Sequence, residues 1–124
     1  MGEDDGNRKG GAELSITRLY TGPDGKSHVE EMSLDTHPDL KTLMAAKGVV
    51  FASNPPGHFS DWHTAPRRQF VITLSGEGEI GLEDGTVHRF GPGHVNLAED
   101  LTGKGHTTRV VGNVPRVTAT VHLG

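Results

Sequence analysis

The chain has 124 residues without a single cysteine, and its 12 Lys and Arg against 16 Asp and Glu give a formal net charge of −4. This length is enough for one domain with its own core. The charge argues against a nucleic-acid module built on a basic patch, and the absence of cysteine excludes disulfides and thiolate metal ligands.

Residues 1–12 contain four glycines and no large apolar side chain beyond the initiator Met1. Such a segment cannot offset its ordering entropy by burial, so we expect a flexible tail followed by one domain over residues 13–124. No apolar run approaches the roughly 18 residues that span a bilayer, and the start lacks a secretory pattern. We therefore expect a cytoplasmic protein with no membrane partner.

The first predicted elements are strands over residues 14–20 and 28–34, joined by the turn cluster Thr21-Gly22-Pro23-Asp24-Gly25. After them, Leu40, Leu43 and Met44 fall at helical spacing. They predict a short helix or helical loop over residues 38–47.

The rest of the chain predicts short strands that are separated by glycine and proline turns. The 18 glycines and 7 prolines are high counts for this length. Strands this short and evenly spaced are typical of a β-sandwich or closed barrel. They are predicted over residues 49–52, 69–74, 79–82, 86–90, 94–98, 106–111 and 117–123.

Two patches carry the residue types of a functional site. The first is Asp61-Trp62-His63 with Gln69, and the second is Gly91-Pro92-Gly93 with the later His106. Asp61 and His63 are two residues apart, so strand alternation allows both to face one side. The same alternation turns Gln69, Val71 and Thr73 toward the site and the bulkier Phe70, Ile72 and Leu74 away from it.

From about residue 49 onward, these motifs resemble the cupin family in their order and spacing. One cupin strand pair usually carries His-x-His, then a Glu, then a Gly seven residues later; a second pair carries a Pro-Gly turn and a later His. Here Gln69 precedes Gly76 by seven residues, and Gly91-Pro92-Gly93 precedes His106. The resemblance implies an all-β, single-domain cupin β-barrel (a double-stranded β-helix or jelly roll), and a homodimer.

The chain departs from the cupin pattern where Asp61 stands at the first His and Gln69 at the Glu. A neutral Gln amide is a weaker donor than a carboxylate. If Asp61 turns inward, His63, His106 and Asp61 supply two imidazoles and a carboxylate with open positions. We therefore expect a divalent metal (Fe, Mn, Ni, Zn or Cu) held by His63, His106, Asp61 and Gln69.

Four charged residues near this site are candidates for catalysis. Glu99 and Asp100 follow an alternating strand, so one of them points inward and is a candidate acid or base, tuned by partial burial toward neutral pH. Arg67 and Arg68 are candidates to bind a substrate carboxylate. The alternative for all four is an ordinary solvated or ion-paired surface role.

Two functions remain open at this stage. The first is a metal-dependent enzyme (a dioxygenase, isomerase, lyase or cyclase) that acts on a small organic molecule. The second is a binding module for a small ligand, in which His63 and His106 are bonded to Gln69 and a backbone group in a degenerate, metal-free site. The direction of Asp61 discriminates between them, because an inward carboxylate favours catalysis and an outward one favours the binding module.

Overall fold

The computed structural model describes residues 15–124, which form ten β-strands and one short 3-10 turn. The predicted tail over residues 1–12 lies outside the described residues. The strands are β1 Ile16–Thr21, β2 Ser27–Met32, β3 Gly48–Asn54, β4 Phe59–His63, β5 Gln69–Ser75, β6 Glu77–Gly81, β7 Val87–Phe90, β8 Val95–Glu99, β9 His106–Val111 and β10 Arg116–His122.

The strands form two sheets, one with the order β2-β1-β8-β5-β10-β3 and the other with the order β4-β9-β6-β7. The pairing of β1 with β8 is parallel, and the other pairs are antiparallel. The chain passes from one sheet to the other at each connection from β3 to β6 and again at each connection from β7 to β10. This double-stranded β-helix confirms the expected all-β, cupin-like fold.

The face of the six-stranded sheet that turns toward the four-stranded sheet is its inner face. Gln69 and Val71 of β5 line the space between the sheets, and Thr73 is fully buried, whereas Leu74 is half-exposed. Residues that pair directly across strands share a face, so Asn96 of β8, opposite Val71, is also on the inner face. The predicted alternation along β5 is therefore correct.

The apolar core between the sheets is small. Leu19, Ile80 and Leu82 are its buried members, and Val29 and Phe90 pack against them. The inner faces carry polar side chains beside this cluster. The space between the sheets is therefore closed by apolar residues in one part and lined by hydrogen-bonding groups in another.

The helix predicted over residues 38–47 is only a 3-10 turn at Pro38–Lys41. Thr42 is already extended, and its side chain bonds the Asp39 carbonyl oxygen at 2.6 Å. Leu43 and Met44 are exposed, so two of the three apolar residues do not pack against the sheets, and tertiary packing is what stabilises short helices. Within residues 15–124 no helix is long and apolar enough to cross a membrane.

The buried His94 belongs to a hydrogen-bond network near the start of β1. His94 stacks on Phe90 with ring centroids 4.5 Å apart, and its Nε2 lies 3.2 Å from Thr17 Oγ1. Asn96 Nδ2 also donates to Thr17 Oγ1, at 3.0 Å. Burial, and then the positive charge of Arg116, lower the pKa of His94 to about 4 from an ordinary value of 6.5.

This depressed pKa predicts a loss of stability in mild acid. Below pH 6.5 the unfolded chain binds a proton on His94 that the folded state excludes, so stability falls as the pH drops from 6.5 toward 4. The full effect is about 3 kcal/mol in the free energy of unfolding. We expect the free energy of unfolding of His94→Gln, measured with urea, to lose this dependence on pH between 6.5 and 4. Substitution of the exposed His58 by Gln should keep it. A wild-type slope in His94→Gln would contradict the assignment.

Candidate functional site

A cavity of about 130 Å³ lies between the two sheets. This volume is enough for several waters or a small organic molecule. Apolar side chains form one part of its wall, among them Leu19, Val71, Ile80 and Phe90. The polar side chains of the wall are His63, Gln69, Asn96, His106, Thr108 and Arg116.

The two candidate histidines face each other across the pair β4–β9. His63 is the register partner of His106, and their ring centroids are 4.4 Å apart with the planes tilted by 56°. Gly105 makes this approach possible: its φ is +83°, and a Cβ there would overlap the backbone of His63. The structure thus brings together the two residues on which the predicted site depends.

Each histidine is held through its Nδ1 atom. His63 Nδ1 lies 2.7 Å from the carbonyl oxygen of Asp61, and His106 Nδ1 lies 2.6 Å from Asp100 Oδ2. Carbonyl and carboxylate oxygens only accept, so in the neutral rings both Nδ1 atoms carry the hydrogen and both Nε2 atoms keep a lone pair. Among the described residues, neither Nε2 has a hydrogen-bond partner.

Asp100 is fully buried behind His106 and is absent from the cavity wall. Its Oδ2 also accepts a hydrogen bond from Ser27 Oγ at 2.7 Å, while Oδ1 has no hydrogen-bond partner within residues 15–124. Of the two carboxylates at the end of β8, Asp100 is therefore the inward one. It contacts the cavity through His106, which makes it a positioning residue in this geometry.

Asp61 does not join the histidines. Its side chain is exposed and Oδ1 accepts from the backbone N–H of Trp62 at 2.9 Å. The expected inward carboxylate is wrong because the register of β4 against β9 shifts between Ser60 and His63, which breaks the alternation assumed for Asp61. Among residues 15–124, no group of three or more His, Cys, Asp or Glu is placed to hold a metal.

Gln69 lines the cavity, but its amide oxygen is already engaged. Arg67 Nη1 donates to Gln69 Oε1 at 3.1 Å and lies 3.2 Å from His122 Nε2. Gln69 would therefore bind a metal only with the remaining lone pair of an oxygen that also accepts from a guanidinium. Arg67 itself is not part of the cavity wall.

Glu99 and Arg68 form an ion pair away from the cavity. Glu99 accepts from Arg68 Nε at 2.6 Å and from Arg18 Nε at 2.7 Å. Burial raises the pKa of Glu99, but the hydrogen bonds from the two arginines outweigh it, and the net pKa lies below the ordinary value. The expectation of a Glu99 tuned toward neutral pH is therefore wrong, and neither residue lines the cavity.

Arg116 is the cavity residue that the sequence analysis missed. Its Nε and Nη2 donate to Thr73 Oγ1 at 3.3 and 3.1 Å, and its guanidinium carbon lies 4.8 Å from the centroid of the Phe90 ring. Burial lowers the pKa of Arg116 to about 10, so the group stays cationic at neutral pH. The sequence of β10 does place Arg116 on one face with Thr118 and Thr120. Because a polar strand face ordinarily meets solvent, this pattern did not indicate a cavity residue.

No family model matches the sequence, and no curated protein matches it. Among solved structures, the chain is similar to an uncharacterised conserved protein with a double-stranded β-helix domain from Klebsiella pneumoniae, at 26% identity and a TM-score of 0.47. The match covers 59% of this chain and 63% of that protein, so the chain spans less than two thirds of its length.

Two further solved structures are similar over more of the chain. A predicted oxalate decarboxylase from Thermotoga maritima is 18% identical, with 89% of this chain and 94% of that chain covered and a TM-score of 0.48. The cupin domain of Cnp3 from Schizosaccharomyces pombe is 12% identical, with 90% and 89% covered and a TM-score of 0.44. The strand order and register of this chain define its double-stranded β-helix fold.

The hydrogen bonds at Nδ1 predict the tautomer of both cavity histidines. In metal-free protein, neutral His63 and His106 should carry hydrogen on Nδ1, which long-range ¹H–¹⁵N spectra of the rings report directly. Asp100→Asn should disturb the tautomer of His106, because an amide offers a donor as well as an acceptor, and should leave His63 unchanged. Hydrogen on Nε2 of both rings in the wild type would contradict this geometry.

Proposed function

We propose that this cupin-like chain binds a divalent metal ion on His63 and His106 and acts as a metal-dependent enzyme on a small organic molecule in the cavity. The observation that supports it is that both rings are held in the same way, by a hydrogen bond at Nδ1. Each Nδ1 is bonded to an oxygen and each Nε2 is free, with the ring centroids 4.4 Å apart. Metal-binding histidines are typically held in this way by a carboxylate or carbonyl oxygen.

The donor set fits a metal through its imidazoles. Two neighbouring acceptor nitrogens favour a cation, and imidazole suits Zn, Cu, Ni and Fe. Mn prefers carboxylate, and non-haem Fe(II) sites usually add a carboxylate to two imidazoles. Because Asp61 points outward, His63 and His106 are the strong donors, and Gln69 is a weak third one. The expected Fe and Mn are therefore less well matched by this site than Zn, Cu or Ni.

The protein contributes orientation and shielding to such a site. Asp100 and Ser27 hold His106 from behind, and the Asp61 carbonyl holds His63. The apolar side chains Leu19 and Ile80 reduce the access of water and strengthen electrostatic interactions inside the cavity. A bound metal would supply Lewis-acid polarisation of a substrate oxygen at an open position.

The second candidate is a metal-free binding module for a small ligand. The outward Asp61 favours it, because no acidic side chain of the described residues then lies on the cavity wall. In this function, the free Nε2 atoms of His63 and His106 would accept hydrogen bonds from the ligand. The cytoplasmic location expected from the sequence stays a prediction for either candidate.

Metal content separates the two candidates. We expect protein purified without chelators to carry a stoichiometric divalent metal, measured per chain by mass spectrometry of the elements. His63→Ala and His106→Ala should each lose it, because either change removes one of the two strong donors. The exposed His58→Ala, which is absent from the cavity wall, should keep it. Wild-type protein that stays metal-free after reconstitution would leave the binding module as the function.

We also propose that the chain forms a homodimer through β3. This strand pairs with β10 on one side only within the described residues, and Val49, Val50 and Phe51 are at least half exposed. It contains no charge and no proline, the devices that protect edge strands from association. Because β3 is uncharged and its Val49, Val50 and Phe51 are exposed, pairing with β3 of a second copy would cover both its backbone groups and these side chains.

The dimer predicts different effects for two exposed edge residues. Phe51→Lys places a charge in the proposed contact and should shift the mass measured by light scattering toward the monomer. Val87→Lys on β7, which is at the edge of the other sheet and similarly exposed, should leave the mass unchanged. A wild-type chain that is monomeric at micromolar concentration would rule the contact out.

A further inference from the structure

The arginines within residues 15–124 fall into two groups by whether they pair with a carboxylate. Arg18, Arg68 and Arg89 each form an ion pair with a glutamate, at distances of 2.6 to 3.1 Å. Arg67, Arg109 and Arg116 have no carboxylate within ion-pair distance among the residues that the structure describes. Of these three, Arg116 is the one that lines the cavity.

A guanidinium with this burial and without a counter-ion is costly to the fold. Charges that leave water are normally compensated by an opposite charge or by a full set of hydrogen bonds. Thr73 Oγ1 accepts from Nε and Nη2 of Arg116, and the other N–H groups of the guanidinium have no partner among the described residues. The side chain therefore keeps donors for a planar anion, which guanidinium binds through paired hydrogen bonds.

The surroundings of Arg116 favour an organic anion over an inorganic one. Phe90 packs against the guanidinium at 4.8 Å, and Leu19, Val71 and Ile80 belong to the same cavity wall. These side chains match a short alkyl group, whereas phosphate or sulfate would face apolar carbon on several sides. The volume of about 130 Å³ restricts the ligand to a small molecule.

We infer that Arg116 makes the cavity specific for a small organic carboxylate, whose carboxylate group pairs with the guanidinium and whose carbon chain packs against the apolar wall. The inference rests on the proposed use of this cavity as a ligand site, and it holds with or without a metal on His63 and His106. Arg67 and Arg68, which were the candidates for this role from the sequence, are instead bonded to Gln69 and Glu99. Arg116 takes their place as the specificity residue.

The test uses propionate and its neutral counterpart propionamide as probes on chelator-treated protein, so that a metal cannot contribute to binding. We expect wild-type protein to bind propionate at least about tenfold more tightly than propionamide in calorimetric or NMR titrations, since a charge-assisted pair is the stronger interaction. Arg116→Gln should lose this preference. Arg109→Gln, an exposed arginine on β9 that is absent from the cavity wall, should keep it.

Arg116→Lys covers the case in which Arg116→Gln does not fold. A lysine keeps the positive charge without the planar pair of donors, so its preference for propionate should lie between the other two. Equal binding of the two probes by the wild type, unchanged propionate binding in Arg116→Gln or Arg116→Lys, or phosphate binding as tight as propionate would each overturn the inference.

The same samples distinguish this inference from the proposed metal site. Propionate binding to a chain that never takes up metal supports the role of Arg116 and removes the metal from the function. A chain with stoichiometric metal but no preference for propionate overturns the role of Arg116 and leaves the metal site standing.

Discussion

The buried contact around Asp100 connects the parts of the chain that form the cavity. Its side chain receives hydrogen bonds from Ser27 of the larger sheet and His106 of the smaller one. Its backbone carbonyl accepts from Ala65, just after His63, at 3.0 Å. One residue therefore couples the closure of the two sheets to the orientation of the histidines. A buried carboxylate with two donors on a single oxygen has few alternative arrangements, so it fixes these positions more strictly than apolar packing does.

This fixed contact matters because the apolar core is limited. Leu19, Ile80 and Leu82 form the buried cluster, while the inner face of the larger sheet also buries Thr73 and Asn96. Asn96 donates to Thr17 Oγ1, and Thr73 Oγ1 accepts from Arg116. Hydrogen-bonded polar groups and an open cavity thus occupy part of the interior. Apolar side chains in the same space would have given greater stability.

The electrostatics of the cavity differ from those of its surroundings. Carboxylates lie behind or outside the cavity, as with Asp100 and Glu99, while its wall presents two imidazole acceptors and one cation. Such an interior favours a ligand that supplies a negative group to the cation, together with a metal ion or a donor to the imidazoles. The proposed metal and the proposed carboxylate ligand therefore address different atoms of the same cavity.

The sequence by itself predicted nine of the ten strands, because alternation and glycine turns are local properties of the chain, but it did not predict β4. The association of His63 with His106 was expected from the resemblance to cupins. The sequence also identified Gln69 and Val71 as inward residues, since the register of β5 against β10 is regular from Gln69 to Thr73. It did not determine the direction of Asp61, which depends on a register shift between β4 and β9. Nor did it reveal the burial of Arg116: whether the polar face of β10 meets solvent or the cavity depends on where the other sheet lies. The tertiary structure decided both points, because register and the packing of one sheet on the other arise from contacts between residues far apart in the chain.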